Sequence, residues 1–141
     1  MNSLPLAKET LYFQSAVGKL YYHPSGFVRL AWSAEPASLE LIKSFYEQVL
    51  ALLLNSNARK ILSEHGGRAP LTGSAQQWII ESWLPRAMSQ ARTRHCAIVE
   101  GANPLHRLST QSVLSVAPSD FISQRFSTNE AAEQWLVKIA I

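Results

Sequence analysis

The chain has 141 residues, 13 Lys plus Arg against 10 Asp plus Glu for a net charge of +3, and 47% hydrophobic residues. At about 150 residues per domain this is one domain, and the composition excludes a disordered tail, a collagenous or low-complexity chain and a nucleic-acid binder that works by charge alone. The longest uninterrupted apolar run, Val49 to Leu54, is six residues, far short of the about 20 that a membrane-spanning helix needs. No charged segment followed by a continuous apolar one opens the chain, so the expected location is the cytoplasm. A single cysteine, Cys96, makes no internal disulfide and agrees with a reducing compartment.

Residues 1–17 are expected to form an N-terminal arm or strand ahead of an α/β domain over 18–141. Glu9-Thr10-Leu11-Tyr12-Phe13-Gln14-Ser15 resembles the recognition sequence of a protease used to remove tags, but it has Thr10 in place of Asn and no polyhistidine run before it. As a native segment, Leu11 and Phe13 with Leu20 would line an opening strand or docking arm, and Leu11 to Phe13 is then expected to be ordered against the domain. Lys19–His23 and Phe27–Trp32 are β-rich runs around Pro24-Ser25-Gly26, where Pro presets a turn and Gly supplies positive φ, so they predict a hairpin. Val28, Leu30 and Trp32 alternate with Phe27, Arg29 and Ala31, giving one consistently apolar face for a helix layer.

Leu39, Ile42, Phe45, Tyr46, Val49, Leu50 and Leu53 recur at three- and four-residue steps and predict an amphipathic helix from about Ser38 to Leu54, stopped by Asn55-Ser56-Asn57. Arg59–Glu64 predicts a short strand ending in Gly66-Gly67. Ser74 with Gln77 fits a capping box for a helix carrying Trp78, Ile79, Ile80, Trp83 and Leu84, in which Pro85 predicts a kink or an early end. Arg94–Glu100 predicts a central parallel strand, Pro104–Val116 a helix, and Phe121–Phe126 a last strand. Ser127 with Glu130 forms a second capping box, opening a helix through Trp135 and Ile139. The alternation predicts an α/β two-layer sandwich: a mixed, mostly parallel sheet of about five strands that opens with a β-hairpin, with helices mainly on one face.

In Trp78–Ala87, W-I-I-E-S-W-L-P-R-A, and Phe126–Leu136, F-S-T-N-E-A-A-E-Q-W-L, the chain resembles the STAS family, the domain of anti-sigma-factor antagonists and sulfate-transporter tails. The resemblance runs from Gly18 to Ile139 and is closest to bacterial members built on that antagonist-like fold. It implies a non-catalytic interaction or signalling module. In signalling members a phosphorylatable Ser follows an Asp in the loop opening the second helix; here the stretch is Leu71-Thr72-Gly73-Ser74-Ala75, without that Asp. Thr72 and Ser74 remain chemically competent acceptors at a helix start, with a plain N-cap role for Ser74 as the simpler reading.

Catalytic constellations are not found in the sequence. Asp120 is the sole Asp, no GxSxG elbow occurs, and His23, His65, His95 and His106 share no metal-ligand spacing, so no catalytic residue, metal or cofactor is expected. Cys96 beside His95 on a strand would point to the opposite face, which leaves Cys96 a buried structural residue. The expected partners are a protein or a second copy of this chain, the latter through the aromatic hairpin of Tyr21, Tyr22, Phe27 and Trp32. The alternative is a carrier of a small apolar ligand or lipid, bound in a cleft between the sheet and its helices. Specific nucleic-acid binding is not expected at this charge and without basic-aromatic interleaving. A ligand or partner would meet the rim at the strand ends, Glu64, His65, Gly66, Gly67 and Arg68 with Glu100, Gly101 and Asn103. The plainer reading is that Glu64 and Glu100 solvate those ends.

Overall fold

A computed structural model describes residues 9–66, 71–100 and 104–139. Six strands lie side by side in chain order: β1 (Thr10–Ser15), β2 (Gly18–His23), β3 (Phe27–Trp32), β4 (Lys60–Glu64), β5 (His95–Val99) and β6 (Ile122–Phe126). The first three form an antiparallel meander, and β3 through β6 are parallel neighbours. Helix α1 (Leu39–Ser56) crosses from β3 to β4. Between β4 and β5, α2 (Gly73–Trp78) runs through a π-helical turn, Ile79–Trp83, into α3 (Leu84–Gln90). Helix α4 (Pro104–Ser115) links β5 to β6, and α5 (Asn129–Lys138) follows β6. The result is a mixed, mostly parallel two-layer sandwich, as the alternation predicts. Its additional strand is β1, which comes from the segment that includes Leu11 and Phe13.

Strand alternation sorts the sheet into two faces. Leu20, Val28, Leu30, Trp32 and Ile61 pack on a front layer of α1, α2, α3 and the end of α4, where Phe45, Val49, Leu53, Trp83 and Val113 join them. The back face of β3 to β6 carries Phe27, Leu62, Ala97 and Val99, and α5 covers them with Ala132 and Leu136. Tyr21, Phe27 and Trp32 are buried and Tyr22 is half-buried. The aromatic hairpin therefore lies mainly in the interior, with only Tyr22 of the four partly exposed. Among the described residues no helix is long and apolar enough to cross a membrane.

Local chemistry sets the ends of these elements, with two departures from expectation, both at caps. Ser38 caps α1 by accepting from the Leu41 amide at 3.2 Å, and Asn57 ends it in the left-handed conformation with φ 60°. The cap of α2 is Thr72, accepting from the Ala75 amide, and the cap of α5 is Thr128, accepting from the Ala131 amide. The neighbouring Ser74 and Ser127 were the expected caps. In each case the threonine holds the extended backbone that lets its side chain turn back to the third following amide. Of the kink or early end expected at Pro85, the early end does not occur: Pro85 sits in the first turn of α3, directly after the π turn, in which the Leu84 amide donates to the Ile79 carbonyl. The wider turn changes the bonding register just where Pro85 brings no donor, so the chain continues helical to Gln90.

Gly18 opens β2 opposite Trp32, and a Cβ there would stand 2.4 Å from the Ala31 carbonyl oxygen and 3.0 Å from the Trp32 Cα. Both obstacles are backbone. Gly18→Ala is therefore expected to cost about 1–3 kcal/mol, read as a lower urea midpoint with unchanged slope. An unchanged midpoint would show that the hairpin can open without loss.

Candidate functional site

The back face carries charge where an apolar sheet would carry aliphatic side chains. Arg29, in the middle of β3, is fully buried. Its Nε and Nη2 donate to the Glu9 carboxylate, with Nη2 at 2.9 Å, and its Nη1 donates to Glu64 Oε1 at 2.8 Å. The guanidinium also lies 4.4 Å from the centre of the Tyr21 ring. Glu64 Oε2 in turn accepts from Asn129 Nδ2 at the start of α5. Hydrogen bonds and charge from Glu9, then Glu64, hold the guanidinium above its ordinary pKa against the opposing effect of burial. The network thereby joins the residue before β1 to β3, β4 and α5, with Tyr21 bringing in β2.

A second polar contact on this face ties down α5. Lys60 Nζ donates to the carbonyls of Leu136 at 2.7 Å and Ile139 at 2.8 Å, at the negative C-terminal end of that helix. Burial lowers the Lys60 pKa. Beside it His95 meets Trp135 edge-on at 6.0 Å. Burial, then the Lys60 charge, hold its imidazole below the ordinary value.

The front face holds a cavity of about 90 Å³ between β3–β5 and the helix layer. Leu30, Ile61 and Ile98 form its floor, Ile79, Trp83 and Leu84 one wall, and Val113, Leu114 and Ala117 another. Ser63, His65 and Cys96 also face it. Ser63 Oγ accepts from Trp32 Nε1 at 2.9 Å, and Trp83 Nε1 donates to the Tyr46 carbonyl at 2.6 Å, so both indole donors are spent. Cys96 is half-buried rather than fully buried as expected, yet its sulfur faces the apolar cavity, where burial pushes the thiol up to about 12. Such a chamber can hold an apolar group out of water, while a protonated thiol in it is a poor nucleophile.

The rim residues expected from sequence divide between the faces. Glu64 and His65 are consecutive and buried, so Glu64 turns to Arg29 on the back while His65 faces the cavity on the front. Gly66 is exposed with φ 55°. Glu100 lies just past β5, its Oε2 3.6 Å from Arg125 Nε. Thr72 is an exposed cap and Ser74 an exposed residue in the first turn of α2. Gly67, Arg68, Gly101 and Asn103 lie outside the described residues. Among those described, no group of three or more His, Cys, Asp and Glu is placed to hold a metal ion.

Sequence reasoning passed over Arg29, Glu9, Asn129 and Ser63. Arg29 did leave a signal: it stands between Phe27 and Ala31 on its face of β3, and a cation flanked by apolar neighbours on a central strand must find buried partners. Ser63 left none, since one serine in Lys60–Glu64 does not say which face it takes. No protein-family model matches the chain, and neither do any curated protein and any solved structure.

Two outcomes follow from this geometry. Arg29→Ala leaves the Glu9 and Glu64 carboxylates facing each other without their cation and is expected to destabilise the fold by about 3–5 kcal/mol, measured by urea denaturation; a loss under about 1 kcal/mol would mean that water replaces the guanidinium. For Cys96, a thiol at about 12 against an ordinary 9.0 has a thiolate fraction of about one in ten thousand at pH 8; because a more basic thiolate is also more nucleophilic, a disulfide reagent should modify it at least about tenfold more slowly than in the unfolded chain. Equal rates would show an accessible, ionised sulfur.

Proposed function

We propose that the chain is a non-catalytic binding module of STAS-like type that holds a small apolar molecule, or the end of an apolar chain, between its sheet and its front helices. The observation that carries this reading is the cavity of about 90 Å³ bounded by Leu30, Ile61, Ile79, Trp83, Ile98 and Val113. A dry, aliphatic-lined cavity of about 150 Å³ takes up benzene or xenon; the smaller volume here suits a five-carbon ring or a short branched chain. Of the two kinds of partner raised by the sequence, a protein and an apolar ligand, the second has this chamber in its favour, while the aromatic hairpin that favoured a second copy lies mainly in the interior. The STAS-like part of the reading is supported by the opening meander, by parallel strands that succeed one another in chain order, and by crossover helices on one face. Glu64 committed to Arg29 and a thiol held protonated at Cys96 favour binding over catalysis. A cytoplasmic module fits these features.

Val113 stands on the α4 wall, and Val113→Phe would place a ring in the cavity. Cyclopentane at about 100 times its Kd is expected to stabilise the native chain by about 2.7 kcal/mol, seen as a rise in Tm of several degrees, and to leave the Val113→Phe variant unchanged. Equal shifts in both proteins, or none in either, would reject the cavity as the binding site. Native mass spectrometry of the chain purified from its own host should then show a small bound mass that the variant lacks.

A further inference from the structure

We infer, resting on the reading of the cavity as a binding site, that its ligand is a neutral molecule with one hydrogen-bond acceptor, a ketone, aldehyde or ester on a small apolar body, and that Ser63 donates to that acceptor. Ser63 is 6% exposed and faces the cavity. Its oxygen accepts from Trp32 Nε1, and among the described residues its hydroxyl donates to no partner. A serine hydroxyl carries one donor beside its acceptor sites, and a buried donor left unmade is costly, so a group that supplies the missing oxygen is rewarded in a way that a hydrocarbon is not. Trp32 strengthens the case, because an indole that already donates to the hydroxyl polarises its O–H toward the next acceptor. Of the other lining side chains that carry a donor, Trp83 donates to the Tyr46 carbonyl and Cys96 weakly to the Ala97 carbonyl, while Tyr46 and His65 have contacts of their own.

Charge complementarity narrows the class further. The described walls include no Lys, Arg, Asp or Glu. A carboxylate or an ammonium entering here would give up its hydration for a single hydroxyl, which does not compensate a charge, whereas a carbonyl gives up far less and recovers it in one bond.

The test uses the full chain and three probes of similar bulk: cyclopentanone, methylenecyclopentane, which has the same outline without the oxygen, and butyrate. Binding is followed by the indole N–H resonances of Trp32 and Trp83 in protein labelled at tryptophan. Cyclopentanone should bind at least about fivefold more tightly than methylenecyclopentane, the worth of one hydrogen bond, and butyrate more weakly than either. A smaller preference, or butyrate matching the ketone, overturns this inference while binding of the hydrocarbon keeps the cavity reading; binding of none of the three overturns both. Ser63→Ala alone would release the Trp32 indole to donate to the ketone, so the matching variant is Ser63→Ala with Trp32→Phe, in which the preference should fall to about one with hydrocarbon binding retained. A preference that persists there overturns the role of Ser63. The comparison of ligands on the unaltered chain decides the question even if that variant does not fold. The ketone preference should also stay constant between about pH 5.5 and 8, because a hydroxyl does not titrate there, and a change across that range would overturn Ser63 as the donor.

Discussion

The buried guanidinium of Arg29 is the constraint around which the back of the sheet is arranged. A fully buried cation is tolerable only with counter-charges and filled donors, and here Glu9 and Glu64 supply both. Their positions make the requirement topological: Glu9 precedes the edge strand and Glu64 ends a parallel neighbour, so the charge is satisfied only when β1, β2, β3 and β4 are aligned together. An aliphatic residue at Arg29 could pack as stably, since removing ions from water offsets much of the attraction between them. What the ion network adds is selectivity among registers. A slip of β3 by one residue would carry Arg29 into the apolar front layer, away from both carboxylates.

The same argument explains why Glu9–Ser15 behaves as part of the domain. The Glu9 side chain is fully buried against Arg29, Phe13 meets Phe45 at 6.1 Å, and Thr10–Ser15 pairs with β2 through a bulge at Tyr12. A dispensable leader would have no reason to bury a carboxylate against an internal cation. Whatever the likeness of this stretch to a protease site, its residues satisfy charges and fill space that the rest of the chain leaves open.

Much of the fold is legible where one period dominates. Alternation in Phe27–Trp32 and the three- and four-residue steps from Leu39 to Leu53 identify β3 and α1, and Pro24-Ser25-Gly26 marks the turn, where Gly26 has φ 94° and its amide donates to the His23 carbonyl. Legibility fails where two neighbouring residues could play one part. Thr72 or Ser74, and Thr128 or Ser127, are near-equivalent hydroxyls, and backbone angles choose between them rather than composition. It fails differently at the site. The rim expectation grouped Glu64 with His65 because they adjoin in sequence, but consecutive strand residues serve opposite faces, so the two enter unrelated environments. The same rule correctly separated His95 from Cys96. Contacts such as Arg29 to Glu9, twenty residues apart, or Glu64 to Asn129, sixty-five apart, are set by which strands become neighbours, and no local pattern records them.

The cavity can be traced to side-chain size. At the front of β4 and β5 the chain places Ser63 and Cys96, and facing them α4 ends near Ala117, so three small residues meet where other positions in the layer carry Trp32, Phe45, Tyr46 and Trp83. Collapse of the surrounding walls would normally reclaim such a space, because an unfilled cavity forfeits dispersion contacts. Here the walls are held apart. Trp83, in one wall, is fixed by its hydrogen bond to the Tyr46 carbonyl and by an edge-on contact with the Tyr46 ring at 4.9 Å, and Ser63 on the sheet is fixed in turn by Trp32, whose ring meets Tyr46 at 5.4 Å. Each large ring is anchored by a directional bond that moving inward would break. A rigid aromatic wall beside small residues preserves an apolar space that packing alone would close, which is what the proposed binding of a ligand there requires.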